Sequence, residues 1–568
     1  MRDPSNHAYC KEETGKLMVG FFEPRGKVWR LDGIPGDSSF LQLEEDWEHL
    51  GPILQRAVHR VPALAEAGLQ LVFNGPEACT PDGHYHLGET PEVDRCFVAA
   101  GFNSVGIQSA GGVGWVLADW IVDGHPPMDL WSVDPRRSST FECDPGFLAE
   151  RIPESLGLLY AMHWPFHQYE TGRGVLTSPL HDRMAAAGAV FGSVAGWERP
   201  MWFALPGQEP VDRPSYGRQH FTDAMEAECR AVREMVGLFD QSSFATFSVT
   251  GPDALRLLDR LSANAIDVEP GRVVSTPWCN ERAGIEADLT VTRRGEAEFL
   301  VVTAAATRRR DLAWLTRHAR GSRVQIEDRT GRYGVLGVMG PGSRALLSEL
   351  TSADLSRQAA PFGSARRIEV AGIDTLALRI SYVGELGWEL YVDAADALAL
   401  HDAIVATGAS HGLRHAGFHA MNSLRLETGS RHWGDDLGDH DTPLEAGLSF
   451  AVAFDKPDGF FGREALERQR GQPLTKRLVQ LRLEEPDRLL YHDEPILRDG
   501  ELVGRTTSAM WSTFEQRSLA MGYVSAQVAV DAAFLDTASW QVEVAGTPIQ
   551  ASVALRSFYD PTSARLRG

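Results

Sequence analysis

The stretch from 280 to 305, NERAGIEADLTVTRRGEAEFLVVTAA, constrains the fold most, because its pattern leaves room for little except a β-hairpin. Ile285, Ala287, Leu289 and Val291 alternate with Glu286, Asp288, Thr290 and Thr292, the period-2 pattern of a strand with one apolar and one polar face. Arg293-Arg294-Gly295-Glu296 reads as a tight turn and Phe299 to Thr303 as the returning apolar strand. Asp288 then stands mid-strand on the polar face, where propensity disfavours aspartate, so it is either a solvated carboxylate or a working one.

A chain of 568 residues is too long for one core and implies three or four domains. Its 43% hydrophobic and 23% charged residues are ordinary globular values. With 55 basic against 77 acidic residues, the formal charge of -22 argues against nucleic acid or an anionic membrane as partner, since both need a dominant basic surface. The six cysteines form no C-x-x-C pair, which fits a reducing compartment without a disulfide framework or zinc ribbon. The opening MRDPSNHAYCKEE lacks the layout of a secretory signal, and no apolar run approaches the ~18 residues of a membrane span. A cytoplasmic protein is expected. Residues 199–220, rich in Pro, Gly and charge and without periodicity, read as the main domain connection.

Taken in order, 16–24 reads as a strand, 47–64 as a helix interrupted at Gly51-Pro52, and 68–83 as a strand running into a turn. Phe97 to Ala100 reads as a short buried strand, Gly101, Gly106, Gly111, Gly112 and Gly114 as a loop, and Val116 to Val122 as the opening of a helix. A glycine loop leading into a helix can cradle an anion or be a tight connection, and the spacing here is not G-x-G-x-x-G. His163 and His167 flank Pro165 and lack further ligands at zinc spacing, so no metal is expected. Segment 223–261 gives a helix, a strand and a second helix, and 308–320 another helix whose Arg308-Arg309-Arg310 run is a solvated face. In 376–392 two strands are joined through GELG, with Trp388 and Leu390 on one side and Glu389 and Tyr391 on the other. A helix from Ala420 to Leu426 passes into a loop with Asp435, Asp436, Asp439 and Asp441, which lack EF-hand spacing and read as solvated. Residues 471–568 are short alternating strands with Asp-Gly and Gly-Glu turns, a small antiparallel barrel.

These segments together resemble a known family. NERAGIEADLTV resembles the folate-binding core of the glycine-cleavage T-protein superfamily, in which Asp288 would stand beside the tetrahydrofolate nitrogen that receives a one-carbon unit. SYVGELGWELYV resembles the segment that grips the pterin, which implies Tyr382 and Glu389 as folate-binding residues, a carboxylate matching the planar donor pair of the ring. Arg505 is a further folate-site candidate, and a folate polyglutamate tail is the rival reading of Arg308 to Arg310. Met421 stands where the T-protein commonly has arginine, and SLRLE followed by WGDDL follows the dehydrogenase branch. NGPEACTPDG, GETPEV and GFNSVGIQSAGGVG resemble the flavin domain of dimethylglycine and sarcosine dehydrogenases, which implies that Asn103, Ser104, Gly106, Ile107 and Gln108 lie against FAD.

The resemblance implies a multidomain α+β chain. Residues 1–140 would be the C-terminal part of an FAD-dependent oxidoreductase domain, 141–215 a connecting domain, 216–470 a T-protein-like tetrahydrofolate domain and 471–568 the C-terminal β-barrel. It further implies oxidative N-demethylation of a small methylated amine coupled to one-carbon transfer to tetrahydrofolate. The family's G-x-G-x-x-G strand and amine-oxidising residues are not found here, so a truncated flavin half is expected, holding FAD poorly unless a separate flavin-domain protein completes it. The alternative is a non-oxidising folate-binding subunit or aminomethyltransferase-like protein.

Overall fold

A computed structural model describes every residue, Met1–Gly568, and divides into two compact units, Met1–Val175 and Leu176–Gly568. The segment 199–220 lies inside the second unit, where Trp197–Phe203 pairs with Ala189–Val194 in a hairpin. No helix is long and apolar enough to cross a membrane.

In the first unit, Arg2–Asp3, Ala8–Glu13 and Lys16–Phe21 form an antiparallel sheet. The helix Trp47–Arg60 is capped by the Asp46 side chain and runs through Pro52 without breaking, because its apolar stripe buries Ile53 and Ala57. The strand expected at 68–83 does not form. Leu69, Leu71 and Phe73 alternate correctly but are mostly exposed, and the stretch accepts isolated backbone bonds, Leu43 N–H to the Asn74 carbonyl at 2.7 Å and Asn103 N–H to the Ala78 carbonyl at 3.1 Å, not a ladder. Phe97–Ala100 does form a strand with His86–Glu89, but it is half-buried to exposed rather than buried. The helix after it starts at Gly106, not Val116, and runs to Asp123. Gly111, Gly112 and Gly114 are helical, on a side where nothing lies within 4 Å of where a Cβ would stand, while Val113, Val116 and Trp120 bury the other side. Burial of that stripe outweighs the roughly 1 kcal/mol that each glycine costs a helix.

The second unit contains two sheets and a barrel. A five-stranded sheet runs in the order 272–279, 285–295, 298–303, 245–250 and 325–328, and a six-stranded sheet in the order 365–370, 373–378, 387–393, 333–339, 236–240 and 413–415. The strand Ile285–Gly295 is longer than its apolar alternation, so the hairpin turns at Glu296-Ala297, beyond the expected turn at 293–296. One face of the first sheet packs Ala287, Leu289 and Val291 onto the helices Ala254–Leu261 and Arg308–His318. One face of the second packs Trp388 and Leu390 beneath the helices Ser343–Leu350 and Ala397–Gly408. The remaining faces meet in a cluster of Val273, Leu300 and Val302 from one sheet with Val335, Leu376, Leu378 and Tyr391 from the other. Both faces of Ile285–Gly295 are therefore covered, and its polar side is not a solvent side.

Six strands from residues 476 to 554 close the expected barrel. The two strands at 373–378 and 387–393 are not joined by a tight GELG turn but by the segment 379–386. Burial of its charges explains the longer path. Glu385 accepts from Arg233 at 3.2 Å, and Arg233 also bonds Glu427 at 2.7 Å, all three side chains being fully buried. Ser512 of the barrel donates to Glu427 at 2.6 Å and Tyr559 to Glu385 at 2.9 Å, so this ionic cluster docks the barrel on the sheets.

Candidate active site

Asp288 owes its setting to the turn before it. The Asn280 side-chain oxygen accepts from the N–H groups of Arg282 (3.0 Å) and Gly284 (2.9 Å), and Ala283 takes a left-handed φ of 72°. At Gly284 a Cβ would stand 1.7 Å from the Asp439 carbonyl, so the close passage of the 432–441 loop demands glycine here. Ile285 N–H then bonds the Asp441 carbonyl at 2.9 Å, and Trp433 Nε1–H the Ile285 carbonyl at 2.9 Å. The motif asparagine and glycine thus fasten the strand to a distant loop, which brings Arg431 and His432 near Asp288.

The polar side of the strand is unequal along its length. Glu286 is buried and ion-paired with Arg310, accepts from Asn280 Nδ2 at 3.0 Å, and Arg310 lies 4.2 Å over the Trp433 ring. Arg308 likewise pairs with Asp328 at 2.7 Å. The arginine run is therefore engaged rather than solvated, and Glu286 is a structural ion-pair member rather than a free neighbour of Asp288. Asp288 is half-buried and receives no hydrogen bond from the chain. Burial pushes its carboxyl up to about 6 against the opposing charges of Arg431 and His432. Beyond it, Thr290 and Thr292 lead to the inter-sheet cluster, where Thr292 sits between Val273 and Leu300.

Glu389 stands on the facing sheet. It pairs across strands with Leu378 and Gly337, one position beyond the Leu376, Tyr391 and Val335 trio of the same cluster. Tyr391 donates to its Oε2 at 2.9 Å and Gln241 Nε2 approaches its Oε1 at 3.4 Å. Burial raises the Glu389 carboxyl above its ordinary range, and these two donors oppose the rise. Tyr382, in the 379–386 segment, donates to the Arg431 carbonyl at 2.7 Å. Burial raises its phenol above its usual value, Arg425 opposes this, and the Asp436 and Asp288 carboxylates add to the rise. The structure thus groups Asp288, Tyr382 and Arg431, with Glu389 on the opposing sheet face. Gln241 Oε1, Ser243 Oγ, Thr292 Oγ1 and Ser381 Oγ are buried without any hydrogen-bond partner. Orphaned polar atoms in this number fit a flat, polar, hydrogen-bonding ligand between the sheets, the character of a pterin.

Arg505 is not part of this group. Its side chain is 70% exposed and pairs with Asp493 at 3.4 Å. Its barrel neighbours reach the site loop instead, Thr507 to the Asp436 carboxylate at 2.5 Å and Tyr523 to the Asp436 carbonyl at 3.1 Å. Nor are the loop aspartates uniformly solvated. Asp436 is fully buried and bonds Arg425 at 2.5 Å, and Asp441 is buried and bonds Lys476 at 2.6 Å, whereas Asp435 is exposed. Arg431 and Gln241 carry no sequence signal, because contacts from distant segments define them, whereas Tyr391 shares the Glu389 side of its strand, as the alternation places it, but the alternation assigns it no role.

In the first unit, Asn103 and Ser104 adopt φ of 47° and 65°, two consecutive left-handed residues before the helix at Gly106. Asn103 is buried and its side chain is consumed locally, accepting from Thr80 N–H at 2.8 Å and donating to the Gly101 carbonyl at 2.7 Å, while Ser104 bonds Glu77. The helix has no side-chain cap, and Ile107 is 99% exposed beside exposed Gln108. An uncapped N-terminus with an open, small-residue face fits contact with a flat anionic cofactor through backbone and surface, not through the Asn103 and Ser104 side chains.

Comparison with known proteins covers nearly the whole chain. Family models match in succession: FAD dependent oxidoreductase at residues 1–120, FAD dependent oxidoreductase central domain at 123–178, GCVT N-terminal domain at 180–456, and glycine cleavage T-protein C-terminal barrel domain at 476–560. The match at 1–120 does not support the expectation of a truncated flavin half. A 4-methylaminobutanoate oxidase (formaldehyde-forming) of Paenarthrobacter nicotinovorans is 43% identical over all of this chain and 68% of that protein. Human mitochondrial sarcosine dehydrogenase is 33% identical over all of this chain and 66% of that protein. The chain thus spans about two thirds of the length of these relatives. The crystal structure of aminomethyltransferase T from Bartonella henselae superposes with a TM-score of 0.57 at 26% identity, covering 68% of this chain and all of that one.

Proposed function

The chain belongs to the dimethylglycine and sarcosine dehydrogenase family, FAD-dependent N-methyl amine oxidoreductases with a folate domain, and from that premise we propose that it couples oxidative N-demethylation of a small N-methylated amino acid to one-carbon transfer onto tetrahydrofolate. When bound, FAD accepts the two electrons removed from the amine, and the folate supplies the nitrogens that take up the one-carbon unit. The residues of this chain bind and orient. Glu389, held by Tyr391 and Gln241, accepts the paired donors of the pterin. Tyr382 walls the same site and is fixed through Arg431. Asp288 presents an unbonded carboxylate to the positive charge that develops as the one-carbon unit moves. In the first unit, the face carrying Gly106, Ile107 and Gln108 lies against the flavin.

The reading rests on one arrangement above others: Asp288 and Glu389 on the facing sides of two sheets, among buried polar atoms that lack partners. The substrate class rests on the names of the relatives, which are oxidases and dehydrogenases of N-methylated amino acids. Calorimetric titration with 5-formyltetrahydrofolate tests the folate half, and absence of binding overturns it. Folate-dependent disappearance of formaldehyde during oxidation of 4-methylaminobutanoate or sarcosine tests the coupling. Equal formaldehyde yield with and without tetrahydrofolate removes the transfer step.

A further inference from the structure

In a chain with a formal charge of -22, buried and half-buried arginines differ in what they bond. Arg233, Arg310 and Arg425 each bond a buried carboxylate. Arg151, Arg379 and Arg431 have no acidic partner and bond backbone carbonyls instead. Arg199 bonds neither. Its Nε–H is buried without a partner, the side chain makes no hydrogen bond or ion pair, and its contact is with the ring of Phe418, 3.8 Å from guanidinium carbon to centroid. Glu198, the adjacent acid, projects from the opposite face of the strand Trp197–Phe203. Burial lowers the Arg199 guanidinium to about 10, and burial first and the Arg199 charge second hold His419 near 3.

The surroundings connect this cation to the folate site. Phe418, first residue of the helix Phe418–Glu427, lies 6.4 Å from Phe244 between ring centroids. Phe244 packs against the inter-sheet cluster that carries Tyr391 and ends the short segment beginning at Gln241, the residue facing Glu389. Within that segment Ser243 Oγ is also buried and unpartnered. A path therefore runs from the acceptor Glu389, past two phenyl rings, to an unneutralised guanidinium. That order is acceptor, aromatic wall, cation. It is complementary to a molecule with a donor ring at one end, an aromatic linker in the middle and a carboxylate at the other.

We propose that Arg199 is a carboxylate-binding residue that receives the glutamyl end of the folate, with Phe418 and Phe244 lining the passage of its benzoyl ring. The proposal rests on the folate reading above and adds the site for the tail. A guanidinium already flat on an aromatic ring keeps its edge available, and a carboxylate there satisfies the buried Nε–H that the chain leaves unpaired.

The test separates tail from ring. Titrations of the full chain use 5-formyltetrahydrofolate, 6-methyltetrahydropterin, which lacks the tail, and p-aminobenzoylglutamate, which lacks the pterin. Arg199→Gln is expected to weaken the two carboxylate-bearing ligands by about tenfold or more while changing tetrahydropterin affinity less than about twofold. Arg199→Lys, which keeps the charge and loses the planar edge, is expected to fall between. Should Arg199→Gln not fold, the wild-type protein decides: p-aminobenzoylglutamate must bind more tightly than neutral 4-aminobenzamide, with a preference that fades as salt rises. Equal effects of Arg199→Gln on all three ligands, or no preference for the carboxylate, overturn the assignment while leaving the pterin site standing. Binding of p-aminobenzoylglutamate without any binding of the pterin would instead overturn the folate reading and keep Arg199 as a carboxylate site.

Discussion

Residues 1–175 and residues 176–568 both carry long stretches of family motif, yet they are stabilised in different ways. The second unit encloses its motifs: the Asp288 strand is covered on both faces, and the charged side chains Arg233, Glu385 and Glu427 form a buried cluster that joins helix, sheet and barrel. In the first unit the aliphatic cluster around Leu87, Val113, Val116 and Val133 is small, and most of the large apolar side chains that remain exposed in the protein belong to it, including Ile34, Phe40, Leu71, Phe73 and Ile107. Motif density is therefore no guide to packing. A motif can be written for a site whose chemistry is held by distant segments, as around Asp288. It can also be written for a surface whose side chains are spent on a second loop of the same small unit, as where Asn103 bonds Thr80.

The sharpest break of this contrast is at Arg233. Arg233→Met is expected to lower stability by about 3 to 5 kcal/mol, because Glu427 would stay buried without its counter-ion and Glu385 would keep only Arg565 as counter-ion, 3.2 Å away. Chemical denaturation should show the loss in the second unit, with hydrogen exchange in residues 1–175 unchanged; a loss within experimental scatter would mean the cluster is wetter than its burial implies. Next in size is Glu389→Ala, expected to weaken 5-formyltetrahydrofolate by about 2 to 4 kcal/mol, since the donor pair of a buried ligand loses a charged acceptor. Unchanged affinity by calorimetry takes Glu389 out of the site.

What the sequence made legible follows the range of the interactions involved. Local periodicity found the Ile285–Gly295 hairpin, the sidedness of Trp388 and Glu389, and the closing barrel. It placed a strand at 68–83 because alternation reports what a strand could bury, whereas a ladder requires a partner that no local pattern encodes. It began the 106–123 helix late because glycine is a poor local helix former, and a buried stripe at Val113, Val116 and Trp120 overrode that. The candidate site was legible in its carboxylates and not in their surroundings. Arg310 reads as part of a solvated basic run and is a buried partner of Glu286, and Asp436 reads as a loop acid and is a buried partner of Arg425. Charge pairing over long sequence separation leaves no periodic trace.

Within the second unit the contrast can be narrowed to Asp288 against its own strand. Asp288→Asn is expected to bind folate within about 1 kcal/mol of wild type and to slow the one-carbon step by roughly 10²-fold or more, the scale of one preorganised electrostatic contact. Thr290→Ala is the proper comparator, because Glu286 is committed to Arg310. The carboxyl stands near 6, above its unfolded value, so the folded state binds the proton more tightly. The wild type should then lose stability relative to Asp288→Asn as pH rises from about 4 to about 6, with no further change above that window. Its one-carbon rate should fall as pH drops through 6, while the variant stays flat. A wild-type rate independent of pH between 5 and 8 would remove the carboxylate from the step.

The smallest expected effect tests the open face of the first unit. Ile107 is 99% exposed, so Ile107→Ala should change the denaturation midpoint by no more than about 0.5 kcal/mol equivalent, the usual range for a surface position. If the face beginning at Gly106 contacts the flavin, the same substitution should weaken FAD by about 1 to 2 kcal/mol, the transfer free energy of the carbons removed from a covered site. Asn103→Ala should do the reverse, since its side chain ties Thr80 to Gly101. It would cost the unit about 1 to 3 kcal/mol of stability through an orphaned Thr80 N–H and alter flavin affinity only as far as the loop loosens. Fluorescence titration of FAD against both variants, beside their melting curves, reads the two quantities separately. If Ile107→Ala leaves FAD affinity at the wild-type value, the exposed helix face is surface and nothing more, and the difference between the two units reduces to how completely each buries its apolar residues.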